Sequence, residues 1–300
     1  MMFRIRTLFA SAVFLTTALS LCAAEQTEVA PLLARAKRSF DQRDLRTALA
    51  LFIEYRDSIK GTEERQEWFS TTFQIIRCNK GLGHNNDANQ QFFLLCHLEP
   101  LMPPLELMSL PWAGTSGILD SSAIEKTAED WLKKPSIGGQ FLAAAILSAS
   151  AQPQRQSQGL STLTQLSRTS FSDDAKQTAE QKYHRHVAVL ASALLWKQRI
   201  PTIRSPNELA PLRNVLTMIP EPCQAGPLLL LGRAEAQAGE DEQAVLHWMR
   251  IPILFPDESP LAVEALESAA KSLEKLGRGD QAAGLRRERA ALLEKIRPTR

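Results

Sequence analysis

Strict alternation of apolar and polar residues, the mark of a half-buried strand, hardly occurs in this sequence, so nothing in it points to a β-sandwich or barrel. Aromatic residues are scarce at 6%, and alanine and leucine dominate the apolar set. That mix favours helices packed closely through small side chains. A surplus of one charge is missing too: 35 basic residues face 33 acidic ones, and no basic cluster is interleaved with aromatics. Nucleic acid is therefore not an expected partner. The signatures of common chemistry are also absent: H-E-x-x-H, C-x-x-C, G-x-S-x-G and the phosphate loop. Gly81-x-Gly83 lacks a third glycine and a preceding strand, and Gly114-Thr115-Ser116-Gly117 lacks the elbow spacing. His184 and His186 are two apart, which on a helix turns them to nearly opposite sides and forbids a shared ion. His97 sits directly beside Cys96, His247 is expected to face outward, and Asp173-Asp174 reads as a helix N-cap. No catalytic residue, metal or cofactor is expected.

What is present begins with a targeting segment. Arg4 and Arg6 precede an uncharged run, Leu8 to Leu21, and Cys22-Ala23-Ala24 supplies small residues for cleavage near Ala24. The run is shorter than the roughly 20 residues of a bilayer span, so the reading is an exported, periplasmic or other cell-envelope protein with no membrane span after cleavage. Leu21 stands where lipidation of Cys22 would want a small residue. Residues 1–24 hold two arginines and no acid; the whole chain is +2, so the remainder is neutral. That remainder keeps Cys78, Cys96 and Cys223. In an oxidising compartment Cys78 and Cys96, near the ends of two neighbouring helical stretches, are compatible with a disulfide or with two buried thiols.

Helical periodicity recurs along the rest. Helices are expected at Glu28 to Asp41, Asp44 to Ser58, Glu63 to Asn79 and Asp87 to His97, as N-terminal hairpins over 25–99. Pro100, Pro103, Pro104 and Pro111, followed by Gly114 and Gly117, break the pattern, so 100–120 is expected to be an extended connector tethered to a helix surface by Trp112. A central helical region, 121–204, opens on the capping-box pair Ser122 and Glu125 and ends with a long helix from Asp174 to Arg199. Ser205-Pro206-Asn207-Glu208 combines cap, first-turn proline and capping-box glutamate at the start of 205–300.

That last region carries a repeat. Leu228, Leu231-Gly232, Gly239, Ala244, Trp248 and Pro256 stand at the spacings of a pattern about 34 residues long. Gly232 and Ala244 suit a close helix crossing and Gly239 a tight turn. Leu266, Ala269-Ala270, Leu273, Gly277 and Ala282 repeat the register 38 residues on. Arg286 and Arg289 then occupy places that would be buried beneath a further repeat and read as a polar capping face. A weaker echo, Ala48-x3-Phe52 after Leu32 and Ala36, lies in the first hairpin. Over about 70 residues these units resemble the tetratricopeptide repeat family, and the chain is similar to exported bacterial proteins of that kind.

The resemblance implies an all-α helical-hairpin solenoid without significant β-sheet, whose concave groove holds a protein or peptide. Carried onto matching positions, it places Leu229, Arg233, Gln237, Glu267, Lys271 and Lys275 in that groove. The expected function is a non-catalytic envelope scaffold; the alternative is a helical-superstructure enzyme acting on cell wall, with Glu99 and Glu106 in the proline-rich break as its acids. The pattern names neither the partner nor the oligomeric state.

Overall fold

The computed structural model describes residues 31–59, 65–112, 122–168 and 177–296. The expected signal over 1–24, Asp173-Asp174 and Gly114 to Gly117 lie outside them, as does the side chain of Ser122. Within the described residues the chain is all-α, with 13 helices, no strand, and consecutive helices packed against each other in hairpins. None is long and apolar enough to cross a membrane.

The chain forms two compact units, residues 1–78 and 79–300. In the first, helix α1 (31–41) and α2 (Leu45–Ser58) pack with the larger part of α3 (Arg65–Leu82). Ala36, Ala48, Leu51, Phe52, Ile75 and Cys78 form its core, flanked by Leu32, Leu33 and Phe40. These positions recur every three or four residues, which is why each helix buries one stripe. The Arg77 guanidinium lies 4.6 Å from the centre of the Phe40 ring.

The second unit holds α4 (Asn85–Leu98), α5 (Ser122–Trp131), α6 (Ile137–Ser148), α7 (Pro153–Ser167), α8 (Ala179–Arg199), α9 (Ala210–Met218), α10 (Ala225–Gln237), α11 (Asp241–Leu254), α12 (Ser259–Lys275) and α13 (Gly279–Ile296). Helix α6 has no charged residue, and Phe141 to Leu147 are fully buried. Such all-round apolarity belongs to a central helix, and α6 indeed contacts α4, α5, α7 and α8. Helix α7 crosses it so closely that a Cβ at Gly159 would meet the Ala144 carbonyl oxygen at 2.7 Å. Arg155 of α7 clamps α5 through Glu125 (2.7 Å) and Glu129 (2.6 Å). Helices α10 to α13 stack in chain order. The Ser205–Glu208 capping box forms as expected, but the turn it opens, Pro206–Leu209, is 3-10 before α9 begins.

One turn recurs four times. Arg43, Gly83, Gly239 and Gly277 all have positive φ (61°, 77°, 85° and 74°) at the end of the first helix of a hairpin. Each is followed by an N–H that reaches back five residues to a carbonyl: Asp44 to Ser39, His84 to Asn79, Glu240 to Glu235 and Arg278 to Leu273. This is the Schellman closure. Five residues after each positive-φ position stands an alanine with no exposure: Ala48, Ala88, Ala244 and Ala282. Four further on stand Phe52, Phe92, Trp248 and Arg286, of which the three aromatic residues are buried. The turn around Gly83 therefore shares the register, with Gly83, Ala88 and Phe92 at the same spacings. Arg286 and Arg289 stay near the surface: Arg286 donates to Glu274 of α12 at 2.8 Å, and Arg289 forms a looser ion pair with Glu267 at 3.6 Å.

The proline-rich stretch departs from expectation. Pro103, Leu105 and Leu107 to Trp112 are buried within the second unit, and Trp112 is only 5% exposed. It is an internal strap and not a surface tether, so the boundary between units falls inside α3 and not here. The cause is composition: five of the nine residues 104–112 are large and apolar, and burying them outweighs the loop's preference for solvent.

Candidate functional site

The residues carried over from the resemblance do not form one open groove. Leu229 is fully buried among Leu228, Leu230 and Leu231. Helix α10 is apolar on nearly every side, so that position has no solvent face. Arg233 also points inward: it bonds the Trp112 carbonyl oxygen at 3.2 Å and pairs with Glu264. Burial holds its pKa below the ordinary guanidinium range. Gln237, Lys271 and Lys275 are exposed, while Glu267 is half-buried, 3.5 Å from Lys271. Lys275 lies 3.3 Å from Asp241. Gly232 faces the Trp248 indole, whose Nε1–H donates to the Leu229 carbonyl at 3.2 Å. Pro256 lies in the turn after α11.

What gathers polar groups instead is the strap. Pro104 and Met108 have extended backbones on either side of a single 3-10 turn, Leu105–Leu107. From there to Trp112 the chain makes few bonds of its own, so its backbone groups must find partners elsewhere. They find side chains of four helices. Lys80, at the end of α3, donates to the Glu106 carbonyl at 2.6 Å. Asn89 of α4 takes Ser109 by both ends: its Oδ1 accepts from the Ser109 N–H and its Nδ2 donates to the Ser109 carbonyl, each at 3.0 Å. Asn85, one turn earlier, accepts from the Ser109 hydroxyl. Lys197 of α8 donates to the Pro111 carbonyl at 2.5 Å, and Arg233 of α10 takes the Trp112 carbonyl. Because every one of these bonds to Glu106, Pro111 and Trp112 goes to main chain, the arrangement reads an extended backbone with little regard to side chains.

Its electrostatics follow from burial. Lys80 is 3% exposed and balanced by Glu258 at 2.5 Å. Burial, with Arg233 nearby, lowers Lys197 to about 8. Apolar side chains seat the strap: the Trp112 ring fills the space above Gly226, where any Cβ would collide with it. The fit leaves a cavity of about 20 Å³ between Glu106, Met108 and Trp112 on one side and Cys223 and Leu261 on the other, room for about one water molecule. Burial pushes the Cys223 thiol up to about 12.

The other sequence candidates sit apart from this chemistry. Cys78 and Cys96 are buried thiols and not a disulfide. Cys78 belongs to the first unit's core, and burial pushes Cys96 to about 12, which keeps it protonated. His247 turns inward, contrary to expectation, because Glu235, only 1% exposed, draws its Nδ1 to 2.6 Å. Arg213 of α9 pairs the same carboxylate at 3.0 Å and Glu240 at 2.6 Å. His184 lies 3.9 Å from Glu180. Among the described residues no three His, Cys, Asp or Glu side chains gather to hold a metal ion. Compared with known proteins, the chain matches no family model, no curated protein and no solved structure.

Proposed function

We propose that this protein is an exported, non-catalytic scaffold of the tetratricopeptide type, whose helical hairpins hold an extended segment of another protein in the cell envelope. The observation that carries the reading is the strap: Lys80, Asn89, Lys197 and Arg233, from four helices, bind the main chain of an extended segment. The family assignment draws support from the shared turn-alanine-aromatic register of the hairpins at Arg43, Gly83 and Gly239. Export rests on the charged and apolar order of residues 1–24.

Site-specific photocrosslinking in cells tests it. Leu101, 63% exposed and immediately before the strap, carries the crosslinker; Arg287 on α13 serves as control. Recovery of a discrete envelope protein from position 101 and not from 287 supports the scaffold. No crosslink, together with hydrolysis of cell-wall material by the purified chain, would transfer the function to the enzyme reading.

A further inference from the structure

We propose that residues 104–112 are a resident, displaceable occupant of a groove that accepts extended polypeptide, so that the chain holds its own binding site closed until a partner segment replaces the strap. This rests on the scaffold reading and adds to it the occupant and the chemistry of its replacement. Three features of the strap point the same way. Its anchoring bonds to Lys80, Lys197 and Arg233, and two of its three bonds to Asn85 and Asn89, use backbone atoms that any extended chain offers. Its fit against Cys223 and Leu261 leaves a cavity of about 20 Å³ beside Met108 and Trp112. Its approach is lined by exposed apolar residues, Leu101 at 63% and Met102 at 44%, a foothold from which an incoming chain can begin to replace it.

The replacement has defined chemistry. It is an extended, largely uncharged segment, because Lys80 and Arg233 are already paired with Glu258 and Glu264 and a further charge buried beside them would have no partner. It carries bulky apolar side chains for the sites of Leu105, Leu107 and Leu110, and an aromatic ring for the slot over Gly226. The residue opposite Asn89 offers both an N–H and a carbonyl, so it is not proline.

The test uses a fluorescent peptide of residues 103–112 as probe and the Ser109→Pro variant as the opened protein. The substitution removes the N–H and the hydroxyl that Asn89 and Asn85 hold, and the extended backbone of Met108 tolerates a following proline. The folded variant binds the peptide at least about tenfold more tightly than the unaltered chain, and Asn89→Ala in the variant costs about tenfold again, the loss of one or two hydrogen bonds. A folded Ser109→Pro protein that takes up no peptide overturns the proposal. Hydrogen exchange on the unaltered chain decides the matter if the variant does not fold: the Ser109 and Trp112 amides exchange through an opening that leaves α6 protected, whereas protection equal to that of α6 overturns it. Because the probe is the chain's own peptide, a negative result removes the displaceable strap and leaves partner capture to the crosslinks from position 101.

Discussion

The indole of Trp248 lies where a side chain at 232 would be. A Cβ there would meet the ring nitrogen at 2.5 Å, and the ring cannot retreat freely because that nitrogen is bonded to Leu229. Gly232→Ala is expected to destabilise the protein by about 1–3 kcal/mol through overpacking; urea unfolding measures it, and a neutral result would place the indole elsewhere. Lys197 gives a residue-scale prediction of another kind. Its pKa falls from 10.5 to about 8 on folding. Between these values the unfolded chain holds the proton and the folded chain does not, so this group adds stability as pH rises through the window and adds none below it. Lys197→Met should flatten that rise, seen as a difference between the two urea midpoints that shifts steadily in favour of the unaltered protein as both are titrated from about pH 7.5 to 10.

Among the hairpin turns, Arg43 is the exception, a bulky residue in the left-handed conformation that glycine occupies at 83, 239 and 277. Arg43→Gly should stabilise the α1–α2 hairpin by about 0.5–1 kcal/mol, the strain relieved less the entropy glycine adds to the unfolded chain; hydrogen exchange in α2 checks it. The same comparison shows why some elements were legible in sequence and others were not. The α10–α11 hairpin was legible because Gly232, Gly239, Ala244 and Trp248 act within one local unit. The turn between α3 and α4 carries Gly83, Ala88 and Phe92 at those spacings, but Ile76 stands where Gly232 or Ala270 marks the other first helices, which hides the pattern. The prolines of the strap report only local backbone preference. Its apolar residues favour burial, but the side chains that satisfy its backbone come from residues 80, 89, 197 and 233, outside the stretch itself. The groove positions have a related cause: exposure is set by what packs over α10, and in this chain Trp112 of the strap covers Gly226 and bonds Arg233, while Leu229 lies on an apolar face and its carbonyl takes Trp248.

For the whole molecule, the division at 78 and 79 sets how far damage spreads. Ala48 is fully buried in the first unit's core. Ala48→Leu should cost about 1–3 kcal/mol there, lowering amide protection in α1 and α2 while leaving α10 to α13 unchanged, as expected when packing terms stay with near neighbours. Loss of protection across both units would show a single cooperative unit instead.

The bonds that seat the strap differ widely in the loops they close. Each hairpin closes over a turn of a few residues, whereas the Lys197 bond to Pro111 spans 86 positions and the Arg233 bond to Trp112 spans 121. Closing such loops costs more chain entropy and is repaid only after both ends are already structured. The bonds to Lys197 and Arg233 therefore carry the larger loop-closure cost, and those to Lys80 and Asn89, 26 and 20 positions from their partners, the smaller. Under the displaceable-strap proposal, the contest between the chain's own segment and a foreign one is then already open while the chain folds.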